Sequence, residues 1–230
     1  MMKNLVLSAC LVVTTAGSGL AQPGLEIRPK KFDFGSVAKN STLVPQFWFV
    51  STGTDTVRIS DIKTGCSCAT MPLEKRHLAP GDSMKVGLYW DVGRRVGGIA
   101  RGPGVFFEGG SEPVHLLLTG MVISAPDAAK PVSIKPYKAE LAHIAGNSID
   151  SVGLTFHNHS DEELHLRVVS YPVNECELDF PTVLAPESST TGYIKIRPEF
   201  ADSEFKRSVT VEFSDEKRSR MTIPIRRKFY

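Results

Sequence analysis

Apolar and polar residues alternate with a period of two along most of the chain. Val152, Leu154 and Phe156 fall on one side of an extended segment, while Gly153, Thr155 and His157 fall on the other. Leu164 with Leu166, Ile194 with Ile196, Val209 with Val211 and Phe213, and Ile223 with Ile225 continue the pattern. In the first half it is carried by Phe47 with Phe49, Val57 with Ile59, Val86 with Leu88 and Trp90, Val105 with Phe107, and Leu116 with Leu118. This spacing marks half-buried strands, because successive side chains of an extended backbone point to opposite faces. Turn formers separate the runs at Ser51-Thr52-Gly53-Thr54-Asp55, Ala79-Pro80-Gly81-Asp82 and Glu108-Gly109-Gly110. No run keeps a helical period, so the chain is predicted to be all-β.

The pattern repeats. Ile27-Arg28-Pro29, followed by Lys31, Asp33, Phe34, Val37, Ala38, Asn40 and Ser41, returns 107 residues later as Ile134-Lys135-Pro136, followed by Lys138, Glu140, Leu141, Ile144, Ala145, Asn147 and Ser148. Leu78-Ala79-Pro80 returns as Leu184-Ala185-Pro186 after 106, a register change of one deletion. Two copies of one unit account for this. About seven short strands in each copy predict two tandem immunoglobulin-like β-sandwiches. They are expected at residues 22–124 and 132–230, joined through the Pro-containing linker 125–131.

Composition adds an address and removes some functions. Residues 1–21 carry Lys3, an apolar run from Leu5 to Val13 and small residues at Gly19 and Ala21, the layout of a secretory signal cleaved after Ala21. The run is too short for a bilayer, which takes roughly 20 apolar residues. Leu7-Ser8-Ala9-Cys10 also resembles a lipoprotein cleavage box, with Cys10 as the lipid-bearing residue; a soluble periplasmic or cell-surface protein is the preferred expectation. Removing residues 1–21 leaves 209 of 230, suited to two domains of about 100 residues. A formal net charge of +2 gives no electrostatic reason to expect nucleic acid.

Several motifs in order point to a family. Phe32-Asp33-Phe34-Gly35-Ser36-Val37, the Phe47-Trp48-Phe49 strand, the turn at Gly53, Gly65-Cys66-Ser67-Cys68-Ala69-Thr70, Leu78-Ala79-Pro80-Gly81-Asp82 and Leu118-Thr119-Gly120 together resemble an exported bacterial domain family of unknown function. That family is common in Bacteroidota, has a Cys-Gly-Cys-Thr-like loop, and is similar to immunoglobulin-like domains of the abnormal-spindle and hydin type. The resemblance spans residues 25–122. Ser67 stands where the family usually has glycine, and Ala69 precedes the threonine. The resemblance implies a fold and lends no chemistry.

Cys66 and Cys68 admit three readings. They are structural loop residues, closed or not into a local disulfide; or a soft-metal site holding Cu(I) with help from Met71 or His77, since sulfur donors select that ion; or a redox or cross-linking site, although Cys-x-x-Cys is the usual redox spacing. For the metal reading, an extended Cys-x-Cys places both sulfurs on one face. Cys176 falls near the equivalent loop of the second copy, too far from Cys68 for a disulfide if the domains lie in line.

Other candidates are weaker. His157-Asn158-His159 reads as an exposed hairpin turn. Lys217, Arg218, Arg220, Arg226, Arg227 and Lys228 read as the solvent face of a last strand pair. Trp48, between inward Phe47 and Phe49, is expected to face outward and to be able to anchor a protein partner. Asp55-Thr56-Val57, Asp82-Ser83-Met84 and Asp150-Ser151-Val152 resemble the Bacteroidota O-glycosylation tripeptide, offering Thr56, Ser83 and Ser151 to sugar. With no metalloprotease helix motif and no nucleophile elbow in the sequence, the expectation is a non-enzymatic structural or protein-binding subunit of an envelope or surface assembly. It needs no cofactor, copper being the alternative.

Overall fold

The computed structural model describes residues 24–144 and 146–230, so the expected signal segment and Cys10 lie outside the described residues. Apart from short 3-10 turns at Pro126–Ala128 and Pro198–Phe200, the regular structure described is all strand. It forms immunoglobulin-like β-sandwiches built around two hydrophobic clusters, one drawn from Leu25 to Val122 and the other from Ile123 to Ile225.

In the first half, Leu25–Arg28, Gln46–Ser51 and Ser83–Gly87 form an antiparallel sheet. Its inward Ile27, Phe47, Phe49 and Val86 meet Val57, Ile59 and Val105 of a second sheet, and Phe32, Phe34 and Leu118 of a third. In the second half, Val132–Lys135, Ser151–Asn158, Ser189–Ile196 and Cys176–Asp179 make one layer. Ala139–Ile144, Arg220–Phe229, Phe205–Phe213 and Leu164–Ser170 make the other. The halves use matching ladders: Ile27 lies opposite Phe49 as Ile134 lies opposite Phe156, and Val57 opposite Leu78 as Leu164 opposite Leu184.

The two halves do not lie in line through the linker. Both halves feed one nine-stranded sheet, joined where Lys31–Ala38 runs parallel to Arg220–Phe229, with Ser36 opposite Met221 and Val37 opposite Thr222. The last strand is longer than its partner Ala139–Ile144, which covers only Ile225 to Phe229. The uncovered stretch is an open edge with unpaired backbone groups, and the first half fills it. Gly35 makes the approach possible: its φ is +61°, and a Cβ there would come within 1.9 Å of the Arg220 carbonyl oxygen.

Side chains seal the junction. The Thr222 hydroxyl donates to the Phe34 carbonyl at 2.7 Å, and the Val44 N–H donates to Ser208 Oγ at 2.9 Å. Arg207 donates to the Tyr89 hydroxyl at 2.9 Å while its other nitrogens hold Glu175. Consequently Phe205–Phe213 and Arg220–Phe229 are buried on both faces over much of their length, and simple alternation fails there.

The basic C-terminal residues also depart from expectation. Lys217, Arg218 and Arg226 are exposed, but Arg227 is only 2% exposed. Its guanidinium donates to the Ile149 and Ala201 carbonyls and to Ser148 Oγ, and pairs with Asp150 at 3.0 Å. Ser148 of the Ala139–Ile144 and Asn147–Ser148 hairpin, the Ile149 and Asp150 that follow it, and Ala201 after the 3-10 turn Pro198–Phe200 supply these partners, which is why a full charge can be buried here. Arg220 turns inward to Glu212, a carboxylate whose side chain is 6% exposed, and Arg167 meets the same group at 2.8 Å.

Candidate functional site

The sequence-singled loop hangs between Val57–Lys63 and Ala69–Thr70. Gly65, at φ +81°, turns the chain, and Cys66 to Cys68 form a turn rather than the extended segment expected. The Thr64 hydroxyl donates to the Cys66 and Ala69 carbonyls, and the Asp91 N–H donates to the Cys68 carbonyl at 2.9 Å. The loop backbone is therefore fixed by its neighbours, independently of the sulfurs. Those sulfurs are joined as a Cys66–Cys68 disulfide. Across so short a loop the chain-entropy gain is on the order of 1.5 kcal/mol, about half that of a fifteen-residue loop.

Cys66 and Cys68 are half-buried against the first core, while Gly65 and Ser67 are exposed. Arg101, from the edge strand Gly97–Arg101, donates from Nη2 to Cys68 Sγ at 3.7 Å. Its guanidinium lies 5.9 Å from the centre of the Trp90 ring, and its Nε is buried without a hydrogen-bond partner. Among the described residues it forms no ion pair. Nothing local in the sequence ties Arg101 to the cysteines; the pairing arises from the topology.

The other expected copper contributors sit in different surroundings. Met71 is buried in the first core, and His77 is exposed on the strand His77–Leu78. Among the described residues no cluster of three or more His, Cys, Asp or Glu side chains is placed to hold a metal. Copper binding would require the reduced pair, because a disulfide offers no thiolate.

Cys176 is free and fully buried. It lies opposite Ile196 as Ala69 lies opposite Trp90, so it fills the core position of Ala69 in the matching strand. Burial, and secondarily the nearby Glu175 carboxylate, push its thiol up to about 12.

Trp48 faces outward at 49% exposure, opposite Arg28 on one neighbouring strand and Lys85 on the other. Thr56, Ser83 and Ser151 are all exposed. The 157–159 segment differs from the exposed turn expected: Asn158 is fully buried, donating to the Glu162, Leu184 and Ala185 carbonyls, and thereby fastens the turn to the core. His157 and His159 stack edge to face at 4.3 Å and engage Ser189 and Ser133 respectively. Burial, with Lys130 and His157 nearby, lowers the pKa of His159.

The nine-stranded sheet ends at Gly97–Arg101, which pairs with Leu117–Ile123 and, among the described residues, with no strand on its other edge. Val96, Leu117 and Met121 are exposed beside it, Val96 at 53% and Met121 at 49%. Exposed Arg94 and Arg95 lead into the strand. Among the described residues no helix is long and apolar enough to cross a membrane.

Residues 25–122, the segment that builds the first core, match the model of a family described as protein of unknown function (DUF1573). No curated protein matches the chain. Among solved structures, a Porphyromonas gingivalis protein of unknown function aligns over 88% of this chain and 98% of its own, at 12% identity and a TM-score of 0.36. The ASH, or PapD-like, domain 7 of human CEP192 aligns over 54% and 99%, at 15% identity and 0.38. The CupB2 chaperone of Pseudomonas aeruginosa aligns over 86% and 98%, at 9% identity and 0.32.

Proposed function

We propose that the chain is a non-catalytic, exported protein-binding subunit of a bacterial envelope or surface assembly, made of two copies of one immunoglobulin-like unit. The observation that carries this reading is the open edge at Gly97–Arg101 with Val96, Leu117 and Met121 exposed beside it. An unpaired edge offers backbone donors and acceptors to an incoming strand, and the apolar side chains next to it supply burial. Arg94 and Arg95 at its start disfavour pairing of this edge with a second copy of itself and favour an acidic segment.

The test is affinity purification from the native envelope in gentle detergent, with the wild-type chain and with a Val96→Lys, Met121→Lys variant. Both substitutions fall on exposed side chains, so the fold should stand. A stoichiometric partner retained by the wild type and lost from the variant supports the reading. A partner retained equally by both places binding elsewhere, with Trp48 the next surface to change, and no partner at all removes the reading.

A further inference from the structure

We propose that the Cys66–Cys68 disulfide is a thiol-oxidising site in which the Arg101 guanidinium stabilises the Cys68 sulfur as it leaves. The inference starts from Arg101, a charge that no carboxylate pairs with among the described residues. Its Nη2 lies 3.7 Å from Cys68 Sγ, its Nε is buried without a partner, and no ion pair compensates it among the described residues. Trp90 backs the guanidinium, and the strand Gly97–Arg101 anchors its base. A fixed, uncompensated cation beside one sulfur of a disulfide favours the state in which that sulfur carries negative charge, which is the reduced state.

Access is also built in. Cys66 is only half-buried and its neighbours Gly65 and Ser67 are exposed, so the loop faces solvent. The loop is held by Thr64 and by the Asp91 N–H, bonds that do not involve sulfur. Opening the disulfide leaves both cysteines in place, and because a link across so short a loop adds little to the stability of the fold, the fold loses little when it is reduced.

The substrate class is a thiol, most simply two thiols of one peptide. A substrate thiolate attacks Cys66 Sγ and forms a mixed disulfide; the Cys66–Cys68 bond breaks, and its electron pair leaves on Cys68 Sγ beside Arg101. The second substrate thiolate then attacks the substrate sulfur of that mixed disulfide. A substrate disulfide forms, and Cys66 departs as a thiolate that takes a proton from water. The substrate has lost two electrons and the loop has gained them, one exchange per chain, so the site acts stoichiometrically.

The test equilibrates the full chain with reduced and oxidised glutathione, quenches by alkylation, and reads by mass the tryptic peptide from Thr64 to Lys75, which holds both cysteines and excludes Cys176. A second arm replaces glutathione with a reduced dithiol peptide. The wild-type loop is expected to be reduced by excess glutathione and to oxidise the dithiol peptide. Arg101→Gln should lower the equilibrium constant for reduction about tenfold, and Arg101→Lys should retain most of it. A wild-type loop that stays oxidised under excess reduced glutathione, as structural disulfides do, overturns the proposal without any variant. An Arg101→Gln protein, folded by tryptophan fluorescence, with an unchanged constant overturns the role of the charge. Reduction by glutathione without oxidation of the peptide overturns the peptide dithiol as substrate and leaves small thiols.

Discussion

Replacing Gly35 by alanine tests whether the shared sheet holds the two halves together. The glycine sits at φ +61°, and a Cβ there would lie 1.9 Å from the Arg220 carbonyl oxygen and 2.3 Å from its carbon, both backbone atoms of the neighbouring strand. A left-handed conformation costs a non-glycine residue about 1–2 kcal/mol. The overlap with backbone cannot be relieved by a rotamer change, so the strands must part and the 2.7 Å bond from Thr222 to the Phe34 carbonyl is lost in a buried place. Leaving such groups unsatisfied costs about 1–3 kcal/mol. Together the loss is about 2–5 kcal/mol, concentrated at the junction. Guanidinium unfolding followed by fluorescence and far-UV circular dichroism is the assay. The wild type should unfold in one transition, whereas Gly35→Ala should be destabilised and should separate into two as the halves uncouple. A variant that keeps a single transition and loses less than about 1 kcal/mol would refute the reasoning.

Three further outcomes are expected. Arg227→Ala should cost about 3–5 kcal/mol in denaturant unfolding, because it strips the partners from Ser148, Ile149, Ala201 and Asp150 and leaves a cavity, and Arg227→Lys should recover less than half. Glu212→Gln should cost about 2 kcal/mol near neutral pH. The Arg167 hydrogen bond above all, with Arg220 second, holds the Glu212 carboxyl below its ordinary range, so the unfolded chain binds the proton more readily. The stability gap between wild type and variant should thus be full above the unfolded carboxylate range and close as pH falls through the folded value; a gap that persists in acid contradicts the assignment. Cys176, with its thiol pushed up to about 12 and no exposed surface, should resist iodoacetamide in the native protein at pH 8 and react only on unfolding; rapid native labelling would show the burial to be wrong.

The strands and most core positions are legible in the sequence because the alternation that marks them is caused by burial itself: Phe47 and Phe49 face in, and Trp48 faces out. Legibility ends where a strand is covered on both sides. Ser208 and Thr222 look like surface positions, yet both are buried against the other half, and the groups that meet them come from residues more than 160 positions away. Arg227 is a different case. A strict period of two carried on from Ile223 and Ile225 puts it on the inward face, whatever its basic neighbours suggest. The loop cysteines were visible, but their turn conformation and the cation beside Cys68 were not, since Arg101 reaches the loop only through the pairing of Gly97–Arg101 with Leu117–Ile123.

The junction between Lys31–Ala38 and Arg220–Phe229 also determines how the molecule carries tension. The two strands are parallel, one near the start of the described chain and the other at its end. A pull between Lys31 and Phe229 therefore draws them in opposite directions along their length, loading the ladder in shear so that its bonds must yield together and not one after another. Force applied at Lys31 and at Phe229 therefore bears directly on the seam where the two halves meet.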